Sequence, residues 1–265
     1  MKEIIREHIS HKNQIIKLSQ YELIKTYRGA VLGWAWAIIK PMMMIFTYWF
    51  TFAVGLRMNK DMFGFPYFLW LIAGIIPWFY IDEMLKSTSG SMIKYNYLIN
   101  KISFPISTIP TFVSLSKMYI HLILMFLTCI IFCVFKCKID IYLLQLPFYI
   151  FMMFLFFTIL SLITSILSVI SKDFYNLLKS ITHMLFWFSG VIWDISSLNV
   201  PILRKILYFN PITYIVNGYR NCFIKKVWFF EEPVQLIIFC VLLILISVFT
   251  VWLYNKNKKE ILDII

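Results

Sequence analysis

The sequence predicts an all-α integral membrane protein: six transmembrane helices, an amphipathic interfacial helix at the N-terminus, and two short re-entrant helices on the outer side between spans five and six. Three observations carry this. Of 265 residues, 61% are hydrophobic, 19% aromatic and only 14% charged, with a mean hydropathy of +0.79. A soluble domain needs roughly a quarter of its residues charged to cover its surface. A window of about 19 residues, matched to a hydrocarbon core about 30 Å thick, finds apolar runs near 35–56, 67–85, 108–135, 143–169, 175–193 and 234–254. Runs this long and unbroken satisfy their own backbone hydrogen bonds in lipid as helices, not as the alternating strands of a barrel.

The same composition sets aside soluble enzymes, disordered chains and secreted disulfide scaffolds. The formal charge of +12 does not point to nucleic acid, because the basic residues fall in short segments between apolar runs, where anionic lipid head groups and anionic substrates are the natural partners. With both termini cytoplasmic, the inner segments hold 16 of the 25 Lys and Arg, so the positive-inside rule favours that orientation. No apolar core followed by a small-residue cleavage site precedes residue 33, so span one is expected to direct insertion itself.

Residues 1–33 mix Ile4, Ile5, Ile15, Ile16, Leu23 and Ile24 with Lys, Arg, Glu and Gln, the pattern of a helix lying among head groups. Span one opens on Trp34 and Trp36, indoles suited to an interfacial belt. The inner loop 86–107 is several times longer than a hairpin between antiparallel helices needs. Within it Ser87, Thr88 and Ser89 are placed to cap a short amphipathic rod running to Lys101 and ended by Phe104-Pro105; such a rod reads as a docking surface. In 194–233, Asn199-Val200-Pro201 and Asn210-Pro211 each set a capping Asn beside a proline suited to a first helical turn, so short helices are expected near 200–209 and 211–224. Pieces of this length do not cross a bilayer and suit an exit vestibule. No repeat divides the chain, and 1–265 is read as one permease domain.

Little chemistry lies within the spans. Asp82, Glu83, Lys117 and Asp194 are read as close enough to an interface to snorkel, and His121 and His183 stand apart from them. Lys117 and His121, one turn apart, have the types to meet a phosphate. No catalytic set and no metal site is expected. Cys129, Cys133 and Cys137 share one helix face by their spacing but lack a His or carboxylate to complete a ligand set. His8 and His11 are read as solvated. No G-x-x-x-x-G-K-[ST] loop exists among the eight glycines, so any ATP and Mg must be held by another subunit. Phe46 and Trp49 in span one, with Trp187 and Trp193 in span five, either face lipid and neighbouring helices or line a conduit on which sugar rings stack.

Together these residues resemble the transmembrane permease subunits of type-2 ABC exporters for polysaccharide, O-antigen and teichoic acid. The resemblance rests on Tyr27-Arg28-Gly29 with Leu32-Gly33, Trp36 and Pro41; on Ala73-Gly74-Ile75-Ile76-Pro77-Trp78; on Asn96, Leu98-Ile99, Lys101 and Phe104-Pro105; on Lys172-Asp173; and on Asn210-Pro211, Tyr214 and Gly218-Tyr219-Arg220. It implies a homodimer in the bacterial plasma membrane, joined to two copies of an ABC ATPase subunit, moving a lipid-linked glycan outward. It further implies that Ser87, Lys94, Asn96, Leu98, Ile99 and Lys101 couple to the ATPase, with the N-terminal helix beside them. Asn210, Pro211, Tyr214, Gly218 and Arg220 would then shape the exit. Arg28 is the candidate for the lipid pyrophosphate. Lys40, about 10 Å along span one, either snorkels inward or holds that phosphate. Lys172 stands where Arg is common in the family, and Asn217 where an acidic residue is frequent.

Three other readings remain at this stage: an exporter of the same fold for a drug, haem or small lipid, an integral membrane transferase acting on lipid-linked sugars, and a structural scaffold. The transferase needs paired carboxylates or a His–Asp set at one interface, and a scaffold leaves the rod without a use.

Overall fold

The computed structural model describes residues 2–56, 61–102, 104–135, 137 and 140–264, apart from the side chains of Lys101, Ile102 and Asp263. Arg57, Lys60, Lys136 and Lys138, four of the basic residues assigned to outer segments, lie outside the described residues, as does the side chain of Lys101. Twelve α-helices account for most of the described chain, and its one β feature is an isolated bridge between Met62 and Phe65.

Helices α1 (Lys2–Ser10) and α2 (Lys12–Tyr27) are followed by α3 (Trp36–Trp49), which a 3₁₀ turn at Gly33–Ala35 leads into and a π-helical turn at Phe50–Gly55 extends. Then come α4 (Tyr67–Ser89), the short α5 (Ser91–Lys94) and α6 (Asn96–Ile102), and α7 (Thr108–Val134). The last are α8 (Leu146–Ile170), α9 (Lys172–Phe188), α10 (Pro201–Tyr208), α11 (Pro211–Arg220) and α12 (Pro233–Ile264).

Six of these, α3, α4, α7, α8, α9 and α12, run along the bundle in alternating directions. Trp49 at the end of α3 meets Phe68 at the start of α4, with ring centroids 6.2 Å apart. At the other end Ser165 of α8 donates to the Thr88 carbonyl at 2.7 Å, and Tyr175 of α9 packs beside Gly90. Lys258, near the end of α12, reaches Glu3 of α1 at 2.6 Å. Both termini therefore lie at the end that carries α5 and α6, and α10 and α11 lie at the opposite end. That ammonium holds the Glu3 carboxyl below its ordinary range.

Among the described residues five helical segments are long and apolar enough to cross a membrane: Gly33–Gly55, Tyr67–Ser89, Thr108–Val134, Ile141–Ile170 and Pro233–Leu262. The expected run 175–193 differs. Its helix starts earlier, at Lys172, and ends at Phe188, because Gly190 turns the chain at a φ of +62°. Seventeen residues span about 25 Å at 1.5 Å each.

The structure corrects several local expectations. Ser87, Thr88 and Ser89 do not cap a rod: α4 runs on through them, and Thr88 and Ser89 donate back to the carbonyls of Met84 and Lys86. Gly90 and Tyr95 then break the rod into α5 and α6. Cys137 lies past the end of α7, so the three cysteines do not share a helix face. His8 and His11 are not solvated; Nε2 of His8 bonds Thr111 Oγ1 at 2.8 Å and His11 stands edge-on to Phe104.

Those two histidines belong to a stripe, Ile4, Glu7, His8, His11, Ile15, Ser19 and Glu22, whose spacing of three and four keeps it on one side of α1–α2 and against α7. Ser107 donates to Glu7, and Ser19 bonds Tyr119 at 3.1 Å. Ile5, Ile9 and Ile16 are left exposed beside Lys2, Arg6, Lys12 and Lys17, the face expected of an interfacial helix.

Two apolar clusters hold the bundle. The larger centres on α4, which is buried on nearly all sides, and joins it to α7, α8 and α11. The smaller lies at the α5–α6 end, where Met92, Tyr95, Leu98 and Ile99 pack with Ile15, Phe112, Ile166 and Tyr254.

Candidate functional site

Three features stand out once the helices are in place. The first is a cleft of about 390 Å³ at the α5–α6 end, between α2–α3 on one side and α4–α7 on the other. Pro41 lies on its wall, inside α3, where a proline ring removes one backbone hydrogen bond and loosens the helix. Lys40, Asp82, Glu83 and Lys117 bring charge to it, His121 a buried imidazole, and Tyr27, Trp36, Phe79 and Tyr80 bring rings. Thus Lys117 does not snorkel. Only 6% exposed, it donates to Glu83 Oε1 at 3.1 Å. Asp82 is held by Lys86 at 2.6 Å, while Lys40 is exposed and has no ion-pair partner among the described residues. Burial, with the Glu83 charge adding to it, raises the Tyr27 hydroxyl to about 12 and keeps it a neutral donor. Tyr27 and Ala30 line the cleft, but Arg28 between them is exposed and off its wall.

The second feature is the attachment of the rod. Lys94 Nζ reaches Glu22 Oε1 at 2.7 Å, and the Tyr95 hydroxyl donates to the other oxygen of the same carboxylate. Glu22 is 4% exposed, although Lys94 is half exposed. Burial and then the Glu22 carboxylate push the Tyr95 hydroxyl well above its ordinary range. Leu98 and Ile99 point into the smaller core cluster, so among the expected coupling residues they anchor the rod while Lys94 and Asn96 stay on its surface. Ser87 is half-buried in the last turns of α4. Tyr95 and Glu22 were invisible as partners in sequence because 73 residues separate them.

The third is α11, wedged between the ends of α4, α8 and α12. Asn210 caps it by accepting from the Ile212 amide at 2.9 Å, and its own amide donates to Ser189 Oγ at 2.9 Å. Pro211 takes the first turn. Tyr214 packs on Tyr149 and Phe239, and a Cβ at Gly218 would overlap the Tyr149 ring. The Tyr219 hydroxyl meets His121 Nε2 at 2.8 Å, so α11 touches the same histidine that lines the cleft. By contrast Asn199 does not cap α10; the capping position falls on Val200, which has no side-chain oxygen.

Arg220 is the least expected residue here. Counted from sequence among the outer basic groups, it is 2% exposed, with its guanidinium 3.4 Å from the Trp70 ring centroid. It donates to the carbonyls of Gly190 at 2.7 Å and Val191 at 2.5 Å, and none of the ion pairs among the described residues involves it. These are carbonyls just past the end of α9, where the helix dipole is negative. Arg220 therefore ties α9 to α11 and to α4 at once.

The aromatic residues divide. Phe186 packs on both Tyr48 and Trp78 and so joins α9 to α3 and α4. Phe46 and Trp187 face away from the chain, Trp49 is half-buried against Phe68, and Trp193 donates to the Trp187 carbonyl at 2.9 Å. Alongside Trp187, α9 exposes Asp173, Asn176, Ser180 and His183, whose spacing of three and four makes one polar stripe. Among the described residues no group of three or more His, Cys, Asp or Glu is placed to hold a metal ion.

Residues 13–224 match the family described as ABC-2 type transporter. The chain is 21% identical to the O-antigen export system permease protein RfbA of Myxococcus xanthus over 265 residues, 98% of each chain. It is also 28% and 26% identical to two proteins of the same description from Klebsiella pneumoniae, over 96 residues and 36% of each chain.

Proposed function

We propose, from the premise that the chain belongs to the ABC-2 type transporter family, that it is the membrane subunit of an exporter carrying a lipid-linked polysaccharide outward, powered by a separate ABC ATPase. The observation that carries this reading is the polar stripe of α9. Asn176, Ser180 and His183 are exposed on a single chain, and polar groups facing hydrocarbon are costly, so such a stripe belongs beside water or protein. A second copy of the chain set against α3 and α9 would enclose a wet path between the two stripes, with Trp187 and Phe46 at its wall. On this reading α9 is the sixth, shorter crossing, and α10 and α11 form re-entrant pieces at the outer mouth.

The polarity of the machine follows. The positive-inside bias sets the α5–α6 end in the cytoplasm, where the rod meets the ATPase. The lipid tail stays in the bilayer, because burying it in protein gains little over lipid, while the phosphate and sugars are what hydrocarbon rejects. Full-length similarity to an O-antigen export permease supports a glycan as cargo. A lipid-linked teichoic acid fits the same path. A transferase is disfavoured, since Asp82 is held by Lys86, Glu83 shares one oxygen with Lys117, and among the described residues no second carboxylate pair faces the cleft.

The test is depletion of the chain in its host combined with affinity purification. The expected result is accumulation of cytoplasmic lipid-linked polymer, with a nucleotide-binding subunit recovered in equal amount. Normal surface polymer after depletion, or purification without an ATPase, overturns the reading. Replacing Ser180 and His183 together by leucine is expected to lower export by about tenfold, the equivalent of about 1.4 kcal/mol. The amount of folded protein in the membrane should stay the same, because neither side chain is buried. Unchanged surface polymer in that variant would remove the stripe from the path.

A further inference from the structure

We propose that the cleft between α2–α3 and α4–α7 is a recognition site, built within one subunit, for a sugar ring joined to a phosphate. This rests on the reading of the chain as a glycan exporter and names the part of the cargo the cleft takes. Its volume, about 390 Å³, lies in the range of small-molecule sites. Its charges nearly balance: Lys40 and Lys117 face Asp82 and Glu83, and Asp82 is already engaged by Lys86. A site for a bare anion would show an excess of donors, whereas a carboxylate fixed beside an ammonium presents acceptor and donor side by side, which is what adjacent hydroxyls on a sugar ring require.

Burial gives the pair its geometry. Lys117 is held almost out of solvent, while the Glu83 side chain, which lines the cleft, is 56% exposed and gives Oε1 to Lys117. Tyr27 and Trp36, both half-buried, supply flat apolar faces to the same space. Lys40 lacks an ion-pair partner among the described residues and stands at the α3 wall. That leaves it for the phosphate, with the ring directed inward toward Glu83 and Lys117. Behind the pair, His121 joins the cleft to Tyr219 of α11, so an occupied cleft touches the same network as the far end of the bundle.

The experiment uses the full chain in lipid nanodiscs and measures affinity by native mass spectrometry. Three probes are used: a short polyprenyl diphosphate bearing one N-acetylhexosamine, the same diphosphate without sugar, and inorganic diphosphate. The sugar-bearing probe is expected to bind at least about tenfold more tightly than the sugarless lipid, and inorganic diphosphate weakly. Glu83→Gln, which keeps the shape, and Lys117→Met should each abolish that preference; Lys40→Met should weaken both lipids alike. A thermal melt of each variant shows whether it is folded, and Glu83→Gln carries the test if Lys117→Met is not.

Equal binding of the two lipids, no binding of either, or a preference that survives Glu83→Gln overturns the proposal. Displacement of the probe by phosphatidylglycerol alone does so as well, since the cleft would then be a general lipid site. Complementation of the depleted strain separates the two levels. If the wild-type chain restores surface polymer but shows no sugar-dependent binding, the exporter reading stands and the cleft assignment falls. If it restores none, the exporter reading itself falls.

Discussion

Gly74→Ala is expected to destabilise the bundle by about 3–5 kcal/mol, the range seen when a buried charge loses its partners. A Cβ at position 74 would lie 2.7 Å from the Arg220 guanidinium carbon, well inside contact distance. The guanidinium cannot slide aside without leaving the Trp70 face and the carbonyls of Gly190 and Val191. Charge-assisted hydrogen bonds of this kind contribute about 1.5–3 kcal/mol each, and two would be strained together. The measurement is the yield of monodisperse protein and its melting temperature in detergent. A second substitution discriminates the cause: Arg220→Met removes the charge and the planar group, so Gly74→Ala combined with Arg220→Met should be more stable than Gly74→Ala alone. If the double variant is no better, the clash with Arg220 is not what makes residue 74 a glycine.

Why Arg220 escaped a reading from sequence is instructive. A basic residue in an apolar, proline-broken segment reads as an interfacial anchor, because snorkelling is its cheapest position. Its burial depends on carbonyls left open by a turn at Gly190, 30 residues away, and on a glycine in a different helix. Neither has a local signature. The same holds for Lys117, which looks one turn too close to the interface to be buried until Glu83, 34 residues earlier, is brought beside it.

Helix lengths were legible because apolar runs report directly on burial in lipid, and the ends of span one and α7 fall within a few residues of the expectation, whereas α12 continues to Ile264, well past the apolar run that ends near 254. Caps were legible only in part. Asn210 and Asn199 look alike as residues preceding a proline, but Asn210 is adjacent to Pro211, so its oxygen reaches the amide of Ile212. Asn199 is one residue further back, and the capping position passes to Val200. The run 175–193 misled for a different reason: continuous apolarity concealed both the Gly190 turn and an amphipathic α9, whose polar residues are spread thinly enough for a hydropathy average to blur them.

Glu22→Ala is expected to uncouple the two ends of the machine. Partner ATP hydrolysis should persist while export falls by about tenfold, the equivalent of about 1.4 kcal/mol of lost coupling. The reason lies in what the carboxylate holds. Its two oxygens receive Lys94 and Tyr95, the residues that close α5 and precede α6, so one side chain on α2 fastens both halves of the rod. Lys94 is half exposed and contributes little to stability by itself. The Tyr95 hydroxyl is buried, and leaving it unpaired costs about 1–3 kcal/mol. The leucine and isoleucine anchors of α6 remain, so the rod stays docked on the body while its tie to α2 is lost. A movement imposed on the rod would then no longer carry α2, which forms one wall of the cleft through Thr26 and Tyr27. ATPase turnover and surface polymer, measured on the same reconstituted complex and strain, separate this from simple misassembly. If both fall together, Glu22 serves only to hold the subunit together, and if neither changes, the tie between α2 and the rod has no part in export.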